Sequence, residues 1–303
     1  MKRLTTEQFR LAEQFIQTHA RPLDQALFHF YFHKRKAHSV IRELAKFQNE
    51  DGGFGHSLEP DFRLEKSSAL ATTVGLQYIV EVGATKDEPI VQKAIQYLMD
   101  AFIPEKDKWQ IVPLEVNDVP HAPWWEMDPT KESHSFANPG AEIVGYFYRY
   151  RELVPERLLK KTTELALKEL QNLPIEMEMH DFLCYQRLVE LIDSEEKEEI
   201  EQRLRKSVRE IAVLDPGGWE GYGIQPLQIV TSPESRFADL LEDELPLNLD
   251  FEIERQGEDG SWAPTWSWFG NYEDVWPIAE KEWKGYLTVK TLKLLADFDR
   301  IER

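Results

Sequence analysis

The sequence contains a single cysteine, Cys184, among its 303 residues. An internal disulfide is therefore impossible, and such a composition is typical of proteins that fold in a reducing compartment. No stretch approaches the roughly 20 consecutive apolar residues that a membrane-spanning helix requires, and the first residues lack the apolar run of a signal peptide. These absences predict a cytoplasmic protein without a transmembrane segment.

Positive charge is also scarce. The chain has 36 lysines and arginines against 55 aspartates and glutamates, which gives a formal net charge of −19. Because phosphate backbones repel such a surface, we do not expect a nucleic acid as partner. The excess of acids indicates either a solvated surface that keeps the protein soluble or an acidic cavity for a cationic ligand, and composition alone does not separate the two.

Alternating Val/Ile runs bounded by turns are nearly absent, so a β-sheet is not expected. Apolar residues instead recur at helical spacing, and the 42% hydrophobic content is ample for a sizeable core. The pattern predicts an all-α protein with helices at residues 5–18, 22–34, 37–48, 67–81, 88–102, 139–151, 156–171, 178–192, 195–211, 236–255 and 283–297.

One pattern recurs after predicted helices: Gln-x-x-Asp-Gly-(Gly/Ser)-aromatic. It is complete at residues 48–54 and 256–262, lacks the glutamine at 215–219 and is degenerate at 106–109. Glycine can adopt the left-handed conformation that ends a helix, aspartate can accept backbone N–H groups of the turn, and the aromatic side chain packs back between helices. We expect the glutamine to hydrogen-bond the helix end to the next repeat, a structural role that requires no catalysis.

The two complete turns resemble the Gln-Trp repeats of squalene and oxidosqualene cyclases and the Asp-Gly-Gly-Phe turns of protein prenyltransferase β-subunits. The chain is thus similar to a bacterial branch of the terpenoid-cyclase superfamily. The resemblance implies one domain over residues 1–303, an α/α toroid in which inner and outer helices form a double-layered ring, complete or open. Helices 67–81, 139–151, 178–192 and 283–297 have the small and aromatic residues of inner helices, which we expect to be buried on all sides. Helices 156–171 and 195–211 are amphipathic and outer.

In such toroids a pocket forms where the inner helices begin, so the segments before them should line it. Seven of the nine tryptophans lie in the long loops 103–137 and 262–282, which predicts an aromatic-lined pocket for a small molecule. The candidate catalytic residues are Glu59, Asp61, His121, Glu126, His180 and Asp181. The candidate substrate-binding residues are Trp124, Trp125, Asn138, Glu142, Tyr185, Tyr222, Glu282 and Trp283.

Three functions fit this pattern. The resemblance implies a cyclase or prenyltransferase-like enzyme for an isoprenoid, with aromatic walls that stabilise carbocations and an acid that protonates the substrate. The Asp-x-Asp-Asp motif of triterpene cyclases is absent, however, and Glu59-Pro60-Asp61 is the nearest segment. A carbohydrate-active hydrolase, lyase or epimerase would also use paired carboxylates and stacked tryptophans. A non-catalytic toroid that binds a ligand or a protein is the third alternative.

A metal is not expected. Asp181-x-x-Cys184 is similar to the start of the zinc-ligand set of protein prenyltransferases, but the spacing differs by one and no histidine follows His180. We therefore predict no zinc and no other cofactor, and we interpret Cys184 as a small buried side chain. The sequence leaves the oligomeric state open.

Overall fold

The structure, a computed structural model, describes residues 1–128, 130 and 135–302. Helices account for 58% of the chain and strands for 4%, which confirms the all-α prediction. In the described residues, this extended structure consists of the short antiparallel pair Phe102–Ile103 and Lys108–Trp109 and of isolated single-residue bridges. Within the described ranges, no helix combines the length and the apolar character that crossing a membrane requires.

Twelve α-helices occur in the described part of the chain. They are α1 (Thr6–His19), α2 (Pro22–Phe32), α3 (Ala37–Leu44), α4 (Ala69–Glu81), α5 (Pro89–Asp100), α6 (Ala137–Arg149), α7 (Glu156–Asn172), α8 (Met179–Leu191), α9 (Glu196–Ile211), α10 (Pro226–Ile229), α11 (Leu245–Glu254) and α12 (Trp276–Asp297).

Most predicted helices begin and end within a few residues of the observed ones, but the predicted helix 236–255 is wrong over its first half. There the chain forms a 3-10 turn, Ala238–Leu240, and α11 begins only at Leu245. Pro246 explains the late start, because proline lacks an N–H and its ring clashes with a preceding helical turn. It is therefore accepted only in the first turn of a helix.

Proline also sets the start of the last helix. The predicted bounds were 283–297, whereas α12 begins at Trp276 and has Pro277 in its first turn. The short α10 was not predicted, and it likewise has proline, Pro226, at its start. A single turn of helix is too short to leave an apolar period in the sequence.

The chain divides into two compact units. We call Val40–Ser207 the central unit, and Met1–Ser39 together with Val208–Arg303 the terminal unit. The single domain over residues 1–303 stays a prediction.

Helices α6 and α8 form the core of the central unit. Ten of the thirteen residues of α6 are buried. Gly145 permits the two helices to approach closely, since a Cβ atom there would lie 3.1 Å from the Cα atom of Leu188. Helix α4 is buried over most of its length as well. By contrast, only four of the seventeen residues of α7 are buried. The sequence predicted this difference between buried and amphipathic helices.

The terminal unit packs α1 and α2 against α12. Its two chain ends pair, since the N–H of Leu4 donates to the carbonyl of Arg300 at 2.7 Å and the N–H of Glu302 donates to the carbonyl of Leu4 at 2.9 Å. Only six of the 22 residues of α12 are buried. The expectation that this helix is buried on all sides is therefore wrong.

The two complete repeat turns make the same hydrogen bonds. Each glutamine side chain donates to the carbonyl of the turn glycine and to a carbonyl in the first turn of another helix, as predicted. The distances are 2.9 and 3.0 Å from Gln48 to Gly52 and to Ile90 of α5, and 2.9 and 2.9 Å from Gln256 to Gly260 and to Gln8 of α1.

The equivalence extends to the aspartate and to the aromatic residue. Asp51 accepts the N–H of Gly53 at 3.0 Å, and Asp259 accepts the N–H of Ser261 at 3.0 Å. The next residue is a fully buried aromatic whose backbone N–H donates to a threonine hydroxyl one helix later. These pairs are Phe54 with Thr72 of α4 and Trp262 with Thr288 of α12, both at 3.0 Å.

The tryptophans of the repeats satisfy free carbonyls at helix ends. The last carbonyls of a helix have no partner within it, and an indole N–H can serve them. Trp262 donates to Glu252 of α11 at 2.8 Å, and Trp109 of the degenerate copy donates to Leu98 of α5 at 2.7 Å. In the copy without glutamine, the indole N–H of Trp219 donates instead to the carbonyl of Val213, beyond the end of α9.

Candidate functional site

Four of the predicted catalytic residues lie on two segments of the central unit that pair with each other. Phe62 and His121 form an antiparallel bridge. The bridge is flanked by the bonds from the Ala122 N–H to the Asp61 carbonyl, 2.7 Å, and from the Arg63 N–H to the Pro120 carbonyl, 2.8 Å. Because prolines interrupt both segments, the pairing stays this short.

The pairing places three buried ionisable groups close to this bridge: His121, Asp61 and Glu59 are 3%, 3% and 8% exposed. A carboxylate oxygen of Glu59 accepts the backbone N–H of Asp61 at 2.8 Å. Glu126 completes the group through its contact with His121. We call Glu59, Asp61, His121, Glu126 and Trp125 the acid–histidine site.

Hydrogen bonds fix the proton of the imidazole ring. The Nδ1 atom of His121 lies 2.6 Å from the carbonyl of Val119, which can only accept, so Nδ1 carries a hydrogen. The Nε2 atom lies 2.7 Å from a carboxylate oxygen of Glu126. A second proton is therefore shared between the ring and this carboxylate. Since the Glu126 side chain is 62% exposed and the ring is buried, the pair connects a buried proton carrier with solvent.

Two tryptophans follow the histidine in a 3-10 turn, Pro123–Trp125. The ring of Trp125 meets that of Phe62 edge to face, with centroids 5.7 Å apart. Its Nε1 atom is buried and has no hydrogen-bond partner among the residues that the structure describes. Trp124 is 39% exposed. A buried N–H without an acceptor is rare in folded proteins.

A second polar group joins α4, α6 and α8. We call it the Glu142 cluster: Glu142, Tyr146, Cys184, Arg187 and Gln77. The Glu142 carboxylate is almost fully buried and accepts bonds from the Tyr146 hydroxyl, from the Gln77 amide at 2.8 Å and from Arg187 at 3.1 Å. The Cys184 sulfur lies 3.7 Å from it.

Two groups of this cluster, Tyr146 and Cys184, are held neutral. Burial, followed by the charge of Glu142, raises the pKa of the Tyr146 hydroxyl and that of the Cys184 thiol well above their ordinary values. A thiol that stays protonated is a poor nucleophile and a poor metal ligand. The cysteine therefore has the structural role that the sequence predicted.

Asn138 and Asp181 border the Glu142 cluster. The Asn138 side-chain oxygen lies 3.9 Å from the Cys184 sulfur, and Asn138 precedes the helical part of α6 with extended backbone angles. Asp181 accepts the Ser135 hydroxyl at 2.9 Å. Burial raises the pKa of Asp181 to about 6, although the Ser135 bond opposes this shift. The side chain can thus exchange a proton near neutral pH.

Two further predicted residues of α8 point to structural roles. His180 is exposed and bonds to Glu178, whose carboxylate also accepts two backbone N–H groups as the N-cap of α8. The hydroxyl of Tyr185 donates to the carbonyl of Ala166 in α7 at 2.7 Å. It therefore fastens two helices together.

The remaining predicted residues belong to the terminal unit. Tyr222 is 67% exposed. Glu282 and Trp283 lie on α12, where the Trp283 ring packs edge to face on Trp266 and on Tyr286. Two grooves of about 500 and 350 Å³ also belong to this unit, and no predicted site residue lines either of them.

The sequence analysis missed Tyr146, Arg187 and Gln77. One signal was available, because Glu142 and Tyr146 are four residues apart on a predicted helix and so share a face. Arg187 and Gln77 come from other helices, and the sequence does not say which helices are neighbours.

No family model matches the chain, and no curated protein shows significant sequence similarity to it. The resemblance to terpenoid cyclases is therefore carried by the repeat turns alone.

Proposed function

We propose that the acid–histidine site binds an uncharged, hydroxylated small molecule and performs acid–base chemistry on it. The observation that carries this proposal is the buried N–H of Trp125, which has no partner within residues 1–128, 130 and 135–302. Leaving such a donor without an acceptor costs about 1–3 kcal/mol. A ligand oxygen placed against the indole would recover that free energy.

The charges of the site favour one class of ligand. The site contains three carboxyl groups. Those of Glu59 and Asp61 are buried, and that of Glu126 contacts His121. Since the paired segments 59–63 and 119–126 contain three carboxyl groups and one guanidinium, that of Arg63, a phosphate or a carboxylate is disfavoured, and a hydrocarbon offers no acceptor to Trp125. A sugar-like molecule has acceptors for the indole and donors for the carboxylates, so a carbohydrate-active hydrolase, lyase or epimerase is the function we favour.

The residues would divide the work according to their exposure. His121 and Glu126 share a proton and connect to solvent, so they would act as the general acid and base. Glu59 and Asp61 would orient the hydroxyl groups or stabilise positive charge that develops on the substrate. The exposed Trp124 offers a face on which a sugar ring can stack.

A second candidate, the isoprenoid enzyme, is favoured by the repeat turns, whose hydrogen bonds are the same at both complete copies.

Together with this second candidate we propose that the fold is an α/α toroid. In the terminal unit α1 accepts the bond of Gln256, as α5 accepts that of Gln48 in the central unit. The first helix of the chain thus takes the place that follows the last repeat, as a closed ring requires.

A thermal-shift screen tests the two functions against each other. One arm contains neutral oligosaccharides, the second uronic acids, and the third prenyl diphosphates and polyprenols with and without Mg²⁺. A ligand at 100 times its dissociation constant adds about 2.7 kcal/mol to the free energy of unfolding. We expect a higher melting temperature with neutral sugars alone. A rise with isoprenoids alone would instead establish the second candidate.

Two variants then test the site itself. Trp125→Phe keeps an aromatic ring, although a smaller one, and removes the N–H, so binding should weaken about five- to tenfold, the value of one hydrogen bond. Trp276→Phe in the terminal unit is the control. Glu126→Gln should retain binding and lose turnover, with the exposed Glu115→Gln as its control. Binding by every variant without turnover in the wild type would instead indicate a non-catalytic binding protein.

A further inference from the structure

Two histidines of the terminal unit face each other on one side of α2. His29 and His33 are four residues apart, and their Nδ1 atoms lie 2.8 Å from each other. The rings are 5.1 Å apart between centroids, with an interplanar angle of 31°. Since at least one nitrogen must donate in such a contact, the two Nδ1 atoms share a proton in the absence of any other cation.

The nitrogen–nitrogen distance is that of neighbouring ligands in a square plane. Two nitrogens bound cis at about 2.0 Å to one ion lie about 2.8 Å apart, whereas tetrahedral angles would separate them by about 3.3 Å. The two nitrogens are therefore already at the right separation for a square-planar ion, and each ring would rotate by about 45° so that both Nδ1 lone pairs point at the ion instead of at each other. Zinc, which prefers tetrahedral sites, would force the two rings apart.

The ring of His33 has a second polar contact of the kind that orients metal-binding histidines. The Nε2 atom of His33 lies 3.3 Å from a carboxylate oxygen of Glu13 on α1. Metal-binding histidines commonly donate their second N–H to a carboxylate, which fixes the tautomer and the ring orientation. Phe28 packs edge to face on both histidine rings, at 5.3 Å and 5.8 Å. Arg35 is the nearby positive charge that opposes a cation, and Glu13 offsets it.

We propose that His29 and His33 form a binding site for a square-planar divalent ion, Cu²⁺ in preference to Ni²⁺ and Ni²⁺ in preference to Zn²⁺. Cu²⁺ also has a higher intrinsic affinity for nitrogen ligands than Ni²⁺ or Zn²⁺. The protein supplies two nitrogen ligands, and water or a small exogenous ligand fills the other positions. Among the described residues, no three side chains of His, Cys, Asp or Glu are arranged to hold an ion, so the proposed site has only these two protein ligands. The site is independent of the acid–histidine site, which belongs to the other unit.

Titration calorimetry with CuCl₂, NiCl₂ and ZnCl₂ tests the proposal on the full chain. We expect one Cu²⁺ per chain and an affinity that falls from Cu²⁺ to Ni²⁺ to Zn²⁺. Electron paramagnetic resonance of the copper-loaded protein should show hyperfine splitting from two nitrogens. His33→Ala should weaken copper binding at least tenfold, whereas the exposed His38→Ala should leave it unchanged.

Glu13→Gln provides a separate test, because it keeps both ligands and removes the carboxylate that orients His33. We expect copper binding to weaken about tenfold or more, with unchanged circular dichroism as evidence of folding. Copper affinity that is the same in the wild type and in His33→Ala would overturn the proposal. So would a preference for Zn²⁺ over Cu²⁺, or a spectrum with a single nitrogen ligand.

Discussion

Among single residues, Asp181 is the acid whose titration should be visible in the stability of the protein. Its pKa is about 6 in the folded state and about 3.9 in an unfolded chain. The folded state therefore binds more protons between these values, and stability should fall as pH rises from about 4 to about 6. The loss is at most about 3 kcal/mol, since each pKa unit corresponds to about 1.4 kcal/mol.

Asp181→Asn isolates this effect. The amide oxygen can still accept the Ser135 hydroxyl and carries no charge, so the variant should be more stable than the wild type at pH 7.5 and equally stable at pH 4. Urea unfolding at four pH values between 4 and 7.5 measures the difference. A variant that is destabilised equally at every pH would show that the charge of Asp181 does not matter.

Glu142 should be the most sensitive carboxylate of the central unit. Glu142→Ala leaves Arg187, Tyr146 and Gln77 without their common acceptor, which we expect to cost about 3 kcal/mol of unfolding free energy. Arg187 is partly exposed and keeps some hydration, so the cost should not exceed that value. Glu142→Gln should lose about half as much.

The exposed Glu164→Ala on α7 serves as the control and should change the unfolding free energy by less than about 0.5 kcal/mol. Comparable urea midpoints for Glu142→Ala and Glu164→Ala would contradict the assigned role of the cluster.

The sequence indicates which loop contains a site residue, but it does not indicate which groups the side chain of that residue contacts. Glu59, Asp61, His121 and Glu126 were selected because they lie in loops before buried helices, and the structure brings them together. Their roles stay predictions. His180 was selected in the same way, yet it lies beside its own helix cap, because a loop position does not define where a side chain points.

At the scale of elements, the repeat turns depend on two glycines. Gly52 and Gly260 have φ angles of +92° and +85°, and a Cβ atom would lie 2.4 Å from the backbone of Lys93 and of Leu11 respectively. Alanine at either position therefore adds a backbone clash to the about 1–2 kcal/mol that a left-handed conformation costs. We expect each variant to lose about 2–4 kcal/mol.

Gly83 offers a matched control for this prediction. Its φ angle is +72°, but an added Cβ atom would have no neighbour within 4 Å. Gly83→Ala should therefore lose only the conformational part, about 1–2 kcal/mol. Urea unfolding compares the three variants. Equal losses at all three positions would mean that the close approach of the repeat turns contributes nothing.

Most elements could be predicted because helices leave a period in the sequence, and the repeat turns because glycine and glutamine have particular structural uses. The turn partners Thr72 and Thr288 could not. They lie 18 and 26 residues after their aromatic residues, and the loops between differ in length. The start of α11 was predictable in principle, since Pro246 excludes helix before it, but apolar spacing outweighed proline in the prediction.

For the whole molecule, the net charge of −19 should oppose folding. Compact acidic chains repel themselves, and salt shortens the screening length from about 10 Å at 0.1 M to about 3 Å at 1 M. The surface ion pairs that salt also weakens contribute little each. We therefore expect the urea midpoint to rise between 0.1 M and 1 M NaCl, and similarly in KCl. A falling midpoint would show that the ion pairs outweigh the repulsion.

Helix α1 is the first helix in the sequence, but it contacts the last helix and the last repeat turn. This helix is covalently joined to α2, but it packs on α12, and it accepts the glutamine bond of the last repeat. A circular permutant that begins at Arg21 and carries α1 after residue 302 would restore the order seen at the first repeat. A linker of about eight Gly/Ser residues reaches about 16 Å, enough to bridge the paired chain ends.

This permutant should unfold with a urea midpoint close to that of the wild type, whereas deletion of α1 should leave the terminal unit unstable. Hydrogen exchange distinguishes the two, because amides of α12 should be protected in the permutant and exposed in the deletion. In both variants the amides of α6 should stay protected, since the central unit has its own core. If the permutant exchanged like the deletion, the covalent link to α2 would hold α1 in place, and the contacts with α12 would be too weak to hold it alone.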